Sequence, residues 1–147
     1  MKKVTLAVAL LVVLLATESC RRKGDEKLRN GGLTTEMIKD STKVEFVETQ
    51  FAFDTIKQGD KVEHTFVLKN VGDKNLFITN AFGSCGCTVP EYPKEPIPPG
   101  KTGEVKVTFN SAGKEGVQQK TVTLTMNTGK RNELLYLNGY IKTDKSE

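Results

Sequence analysis

Lys61-Val-Glu-His-Thr-Phe-Val-Leu-Lys-Asn70 decides the fold. Val62, His64, Phe66 and Leu68 fall on one side of an extended chain, and Glu63, Thr65 and Lys69 fall on the other. This is the period-two pattern of a strand with one buried face. Toward the C-terminus, Val105, Val107 and Phe109 alternate in the same way with Glu104, Lys106 and Thr108, and Val122, Leu124 and Met126 with Thr121, Thr123 and Thr125. Less regular strands are expected over residues 44–53, 76–82 and 134–141. The last is apolar on both faces, which predicts a central or covered strand. Turn signals separate these runs at Gln58-Gly59-Asp60, Val71-Gly72-Asp73, Pro98-Pro99-Gly100, residues 113–116 and Asn127-Thr128-Gly129. Short strands at this spacing, with no long amphipathic helix, predict an all-β fold: an immunoglobulin-like antiparallel β-sandwich of about seven strands, with a small barrel as its rival. The antibody-type framework is missing, since the chain has no Trp and the two cysteines of this region stand one residue apart.

Upstream of the strands lies an export pattern. Lys2 and Lys3 precede an apolar run, residues 4–16, broken only by Thr5, and small or polar residues then lead to Cys20. The run falls short of the roughly 20 apolar residues a membrane-spanning helix needs, and Arg21-Arg22-Lys23 follows almost at once. The layout resembles a bacterial lipoprotein signal over residues 1–19, with Cys20 as the acylated first residue of the mature chain. The match departs from the usual pattern at Thr17-Glu18-Ser19, which lacks a Leu or Val three residues before the cysteine and carries an acid. An ordinary cleaved signal is the plainer alternative. Residues 20–42 are polar, contain Gly31-Gly32, and have too few spaced apolar residues to bury a face. They read as a flexible tether spanning roughly 25 Å on average. Residues 43–147 are left as one domain, of a size that can bury a single core.

Charge excludes one class of partner. Without Lys2, Lys3 and Glu18 the formal net charge of +4 becomes +3, and the basic residues are interspersed with acids. No aromatic-interleaved basic patch exists to track a phosphate backbone, so no nucleic-acid partner is expected.

The remaining chemistry is concentrated in Ser84-Cys85-Gly86-Cys87-Thr88. In an oxidising envelope Cys85 and Cys87 can form a disulfide if Gly86 lets the backbone bend. So small a closed loop stabilises the fold by only about 1.6 kcal/mol before strain. A thiol oxidoreductase would instead favour Cys-x-x-Cys at a helix N-terminus, a setting this strand-rich region lacks. Zinc would want four Cys or His ligands, and the domain offers Cys85, Cys87 and His64, so no metal is assigned. Copper(I) on reduced Cys85 and Cys87 remains an alternative. Met126 and His64 share the register of core residues and read as packing. With one histidine there is no hydrolytic triad, and no phosphate-cradling glycine loop is present, so no catalytic residue and no cofactor are assigned. For sugar binding only Tyr92, Tyr136, Tyr140 and Phe77 are available as platforms, and such residues in a small sandwich are more often core.

Phe51-Ala-Phe-Asp-Thr-Ile-Lys-Gln-Gly59, Phe66-Val-Leu-Lys-Asn-Val-Gly72, Ser84-Cys-Gly-Cys-Thr88, Ile97-Pro-Pro-Gly100 and Val105-Lys-Val-Thr-Phe109 follow one another in this order. This succession resembles the bacterial domain-of-unknown-function family numbered 1573, over about residues 44–141. The Cys-Gly-Cys-Thr element followed by a Pro-Gly turn is its most specific mark. The resemblance implies an immunoglobulin-like fold akin to modules of ciliary and spindle-associated proteins. It also implies export to, or lipid anchoring in, a Gram-negative envelope, most simply at the outer membrane. It brings no activity with it. Many members carry repeated modules or a longer C-terminal region, against which this chain reads as a single-module version. The expectation is a non-catalytic, envelope-anchored module held by the lipid on Cys20 and acting by contact with a protein or an envelope polymer. A thiol-redox or copper(I) role for Cys85 and Cys87 is the alternative.

Overall fold

The computed structural model describes residues 40–143. The expected signal, the lipid-anchor residue Cys20 and nearly all of the tether lie outside them. Eight strands run in order: β1 (Val44–Phe46), β2 (Gln50–Lys57), β3 (Lys61–Asn70), β4 (Ile78–Gly83), β5 (Thr88–Glu91), β6 (Thr102–Asn110), β7 (Gly116–Met126) and β8 (Asn132–Lys142). They form two four-stranded sheets, β1-β3-β6-β5 and β2-β8-β7-β4, packed as a sandwich. No described residue is helical.

The alternating runs produce the core. Phe66, Leu68, Val105, Val107 and Phe109 from the first sheet meet Val122, Leu124, Met126, Leu135, Leu137 and Ile141 from the second, all essentially inaccessible to solvent. Each such side chain stabilises the fold by about 1.5–3 kcal/mol relative to exposure. Phe53 joins them from β2, with its ring centroid 5.6 Å from that of Phe109.

Three features differ from the sequence expectation. The run 44–53 is two strands: Val47 N–H still bonds Val67 O in the first sheet, and Tyr136 N–H bonds Thr49 O in the second. The chain therefore changes sheet within residues 47–49. Its second part, β2, pairs parallel to β8, with a bulge between Ala52 and Thr55, so the second sheet is mixed rather than wholly antiparallel. The Phe53 ring lies over Gly139 of β8, where a Cβ would collide with it. Finally, Thr88–Glu91 is a strand despite Pro90. It is an edge, bonded to β6 alone, and there a missing N–H can face away from the ladder.

Two buried asparagines tie the loops to the sheets. Asn70 donates to Lys74 O (2.7 Å) and Ile97 O (2.8 Å) and accepts from the Thr42 hydroxyl (3.0 Å) and Gly72 N–H (3.1 Å). Asn127 donates to Asp40 O and Asn75 O, each at 2.9 Å, and accepts from Phe77 N–H at 2.7 Å. Each amide thus has partners for both its oxygen and its nitrogen, as burial requires. Thr42, counted with the tether on sequence, is itself buried and held by Asn70 and Asn127.

Candidate functional site

The Cys-Gly-Cys turn joins β4, the edge of one sheet, to β5, the edge of the other. Cys85 and Cys87 are linked by a disulfide with Cα atoms 5.2 Å apart, within the usual range for such bonds. The turn is closed by Thr88 N–H to Cys85 O (3.1 Å), and Cys87 O accepts from Asn110 N–H of β6 (2.9 Å). The buried Thr88 hydroxyl sits 3.5 Å from the Cys85 sulfur, and Cys87 packs on the core. At Gly86, expected to let the backbone bend, φ lies outside the left-handed region and a Cβ would meet open space, so Gly86 is not required by the turn. Gly83 is: a Cβ on it would strike the Thr88 carbonyl where the two edges cross. With both sulfurs in the disulfide, neither is a thiolate, the form that copper(I) ligation and nucleophilic exchange use.

The other sequence candidates lie apart from this turn in role. His64 stacks on Phe51 (centroids 3.7 Å), meets Phe66 edge-on, and pairs with Glu48 through Nε2 at 2.8 Å. It is a partnered, part-buried strand residue. Met126 is fully buried core. Tyr92 packs against the core with Lys94 Nζ 3.3 Å above its ring, and Phe77 is half-buried. Neither of these two rings offers an open platform. Among the described residues no group of three or more His, Cys, Asp or Glu side chains could hold a metal ion.

Tyr136 and Tyr140 are different. They point outward from β8, with Tyr140 48% exposed, and with Leu134 and Asn138 they form one row along the strand. Directly opposite on β7 stand Thr123, Thr121, Gln119 and Val117. Phe82 of β4 continues the row of Thr123, and Gln50, Ala52 and Thr55 of β2 flank the other side of β8. None of these outward side chains is charged. Lys57 and Lys142 bound the face at one end, the Lys130-Arg131 hairpin bounds it at the other, and Asp54 sits at the β2 bulge. Gln119 and Asn138 face each other across β7 and β8. The amides of that pair and the hydroxyls of Thr121, Thr123, Tyr136 and Tyr140 make no hydrogen bond within the described chain. Sequence reading passed over this face because it set the tyrosines aside as core; the Thr121, Thr123, Thr125 alternation was its one visible sign.

The outside of the first sheet is built oppositely. Lys61, Glu63, Lys69, Glu104, Lys106 and Glu91 occupy its outward positions, and Lys106 Nζ bonds Glu63 Oε2 at 2.8 Å. That hydrogen bond, reinforced by the opposite charge, holds the Glu63 carboxyl below its ordinary pKa and raises that of the Lys106 ammonium.

Comparison with solved structures shows the fold. A protein of unknown function from Porphyromonas gingivalis W83 superposes with a TM-score of 0.60 at 11% identity, over 69% of this chain and 47% of that one. The chain thus spans about half of that relative's length. The ASH/PapD-like domain 7 of human CEP192 gives 0.58 at 15% identity, covering 72% of this chain and 89% of the domain. The secreted serine protease VesC from Vibrio cholerae gives 0.55 at 10% identity, over 73% of this chain and 25% of the protease. No curated protein matches the chain. The family model for proteins of unknown function DUF1573 matches residues 44–141, nearly the whole described sandwich, and the chain belongs to that family.

Proposed function

We propose that this chain is a non-catalytic contact module of the cell envelope, held by a lipid on Cys20 and engaging its partner through the outward face of the β2-β8-β7-β4 sheet. The observation that carries the reading is that face. Exposed Tyr140, Leu134, Phe82 and Val117 are set among uncharged amides and hydroxyls, in a protein whose opposite face is covered with charge. Exposed apolar side chains gathered on one face mark an interaction surface better than the same residues scattered singly. The disulfide turn, in this reading, clamps the seam between the two sheets.

The test is co-sedimentation of the full chain, in detergent so that the anchor itself carries nothing, with detergent-washed envelope fragments of its host. Sedimentation is expected, and the combined Thr121→Lys and Asn138→Lys variant should abolish it. Exchanging Glu63→Lys with Lys106→Glu on the opposite face should leave it intact. No sedimentation, or an equal response of the two variants, contradicts the reading. Separately, Cys20→Ala is expected to release the protein from the membrane, and retention there would argue against the lipid anchor.

A further inference from the structure

We infer that the outward face of β7 and β8 binds a neutral polysaccharide, lying along β8 from Tyr140 toward Leu134. This rests on the contact-module reading above and names the partner's chemistry.

Charge speaks first. Between the bounding lysines and the β7–β8 hairpin the outward rows of β7 and β8 carry no ionised side chain, and beside them the carboxylate of Asp54 sits at the β2 bulge. A charged partner would therefore be desolvated here without compensation. Polarity speaks second. The centre of the face is not apolar: Gln119 and Asn138 oppose each other there, beside Thr121 and Tyr136. None of these side chains uses its hydrogen-bonding capacity within the described chain. A dry contact with a second copy would bury two amides and several hydroxyls that need partners. A chain of sugar hydroxyls supplies such partners at every unit, both donating and accepting. Shape speaks third. Tyr136 and Tyr140 are four residues apart on one strand, about 13 Å. Their rings can stack on the C–H faces of successive sugars while their hydroxyls stay wet. From Tyr140 to Leu134 the row runs about 20 Å, room for several sugar units of an extended polymer. Tyr140, Asn138, Thr55, Gln119 and Val117, with Asp54 at the β2 edge, also line a shallow open groove at the start of this path.

The experiment uses the full chain in detergent with three preparations of host envelope fragments: untreated, protease-digested, and oxidised with periodate, which cleaves vicinal diols. Binding should survive protease, fall about tenfold or more after periodate, and persist when salt is raised, because no ion pair is involved. Tyr136→Ala with Tyr140→Ala should weaken it about tenfold or more. Gln119→Lys, at an exposed position where folding is not at risk, should also weaken it. Binding lost to protease overturns the polysaccharide but leaves the contact module standing. Binding indifferent to periodate or to the tyrosine pair overturns the polysaccharide site, as does self-association of the chain that the same variants abolish. No binding to untreated fragments removes both readings.

Discussion

On the outside of β3 and β6, Lys61, Glu63, Glu104 and Lys106 lie side by side, with one hydrogen-bonded ion pair among them. On the outside of β7 and β8, the matching positions hold Thr121, Thr123, Gln119, Tyr136, Asn138 and Tyr140, with no charge at all. The inward positions at the centre of the two sheets are alike: Phe66, Leu68, Val105, Val107 and Phe109 in one, Val122, Leu124, Met126, Leu135 and Leu137 in the other. Folding needs that inward alternation and leaves the outward composition almost free, because an outward side chain need only suit a strand and stay soluble. Charge is the ordinary way to meet the second requirement. Where one face of a sandwich forgoes it while its twin does not, the difference carries functional information.

The largest expected effects test whether the two inward faces are equivalent. Phe66→Ala in the first sheet should cost about 3–5 kcal/mol, and Leu137→Ala in the second about 2–5 kcal/mol, by denaturant unfolding. A negligible loss at either would break the picture of one shared core. Next comes Asn127→Ala, which leaves Phe77 N–H and the Asp40 and Asn75 carbonyls without their partner. It should cost about 1–3 kcal/mol by the same measurement. Cys85→Ser with Cys87→Ser should lower stability by only about 1–2 kcal/mol and leave envelope contact intact. Loss of contact in that variant, while it remains folded, would shift function to the turn.

The smallest effect belongs to the charged face. A carboxyl whose folded pKa is depressed stabilises the fold above its ordinary pKa, and that contribution is lost as pH falls through the lowered value. A raised ammonium contributes below its ordinary pKa, and that contribution is lost as pH rises through the raised value. Glu63 and Lys106 therefore give a slight, salt-screened gain across the neutral range. Glu63→Gln should remove this dependence at both ends of a thermal-melt pH series, and no change in the neutral face's contact should accompany it.

The sequence was most legible where neighbours in the chain are also neighbours in consequence. The alternation in β3, β6 and β7 needs no knowledge of partners, and neither did the in-phase placement of Met126 and His64. The central position of β8 was readable from its apolar residues on both sides, but its outward row stays open rather than covered. Non-local facts were hidden. The change of sheet at residues 47–49 has no Gly or Pro to announce it, and the parallel pairing of β2 with β8 joins opposite ends of the domain. Pro90 disguised β5, because its tolerance depends on that strand being an edge. The uncharged face assembles residues from four strands, and no single segment of sequence shows Tyr136 and Tyr140 lying beside Thr121 and Val117 rather than in the core. The turn's demand for Gly83 likewise comes from Thr88 crossing over it.

Hydroxyl-radical footprinting of the full chain, with and without host envelope fragments, tests the contrast between the faces most directly. Oxidation of Tyr140, Leu134 and Phe82 should fall on binding, while that of exposed Val89 on the other sheet stays unchanged. Protection of Val89 instead, or equal protection of both faces, would contradict the assignment of contact to the uncharged sheet.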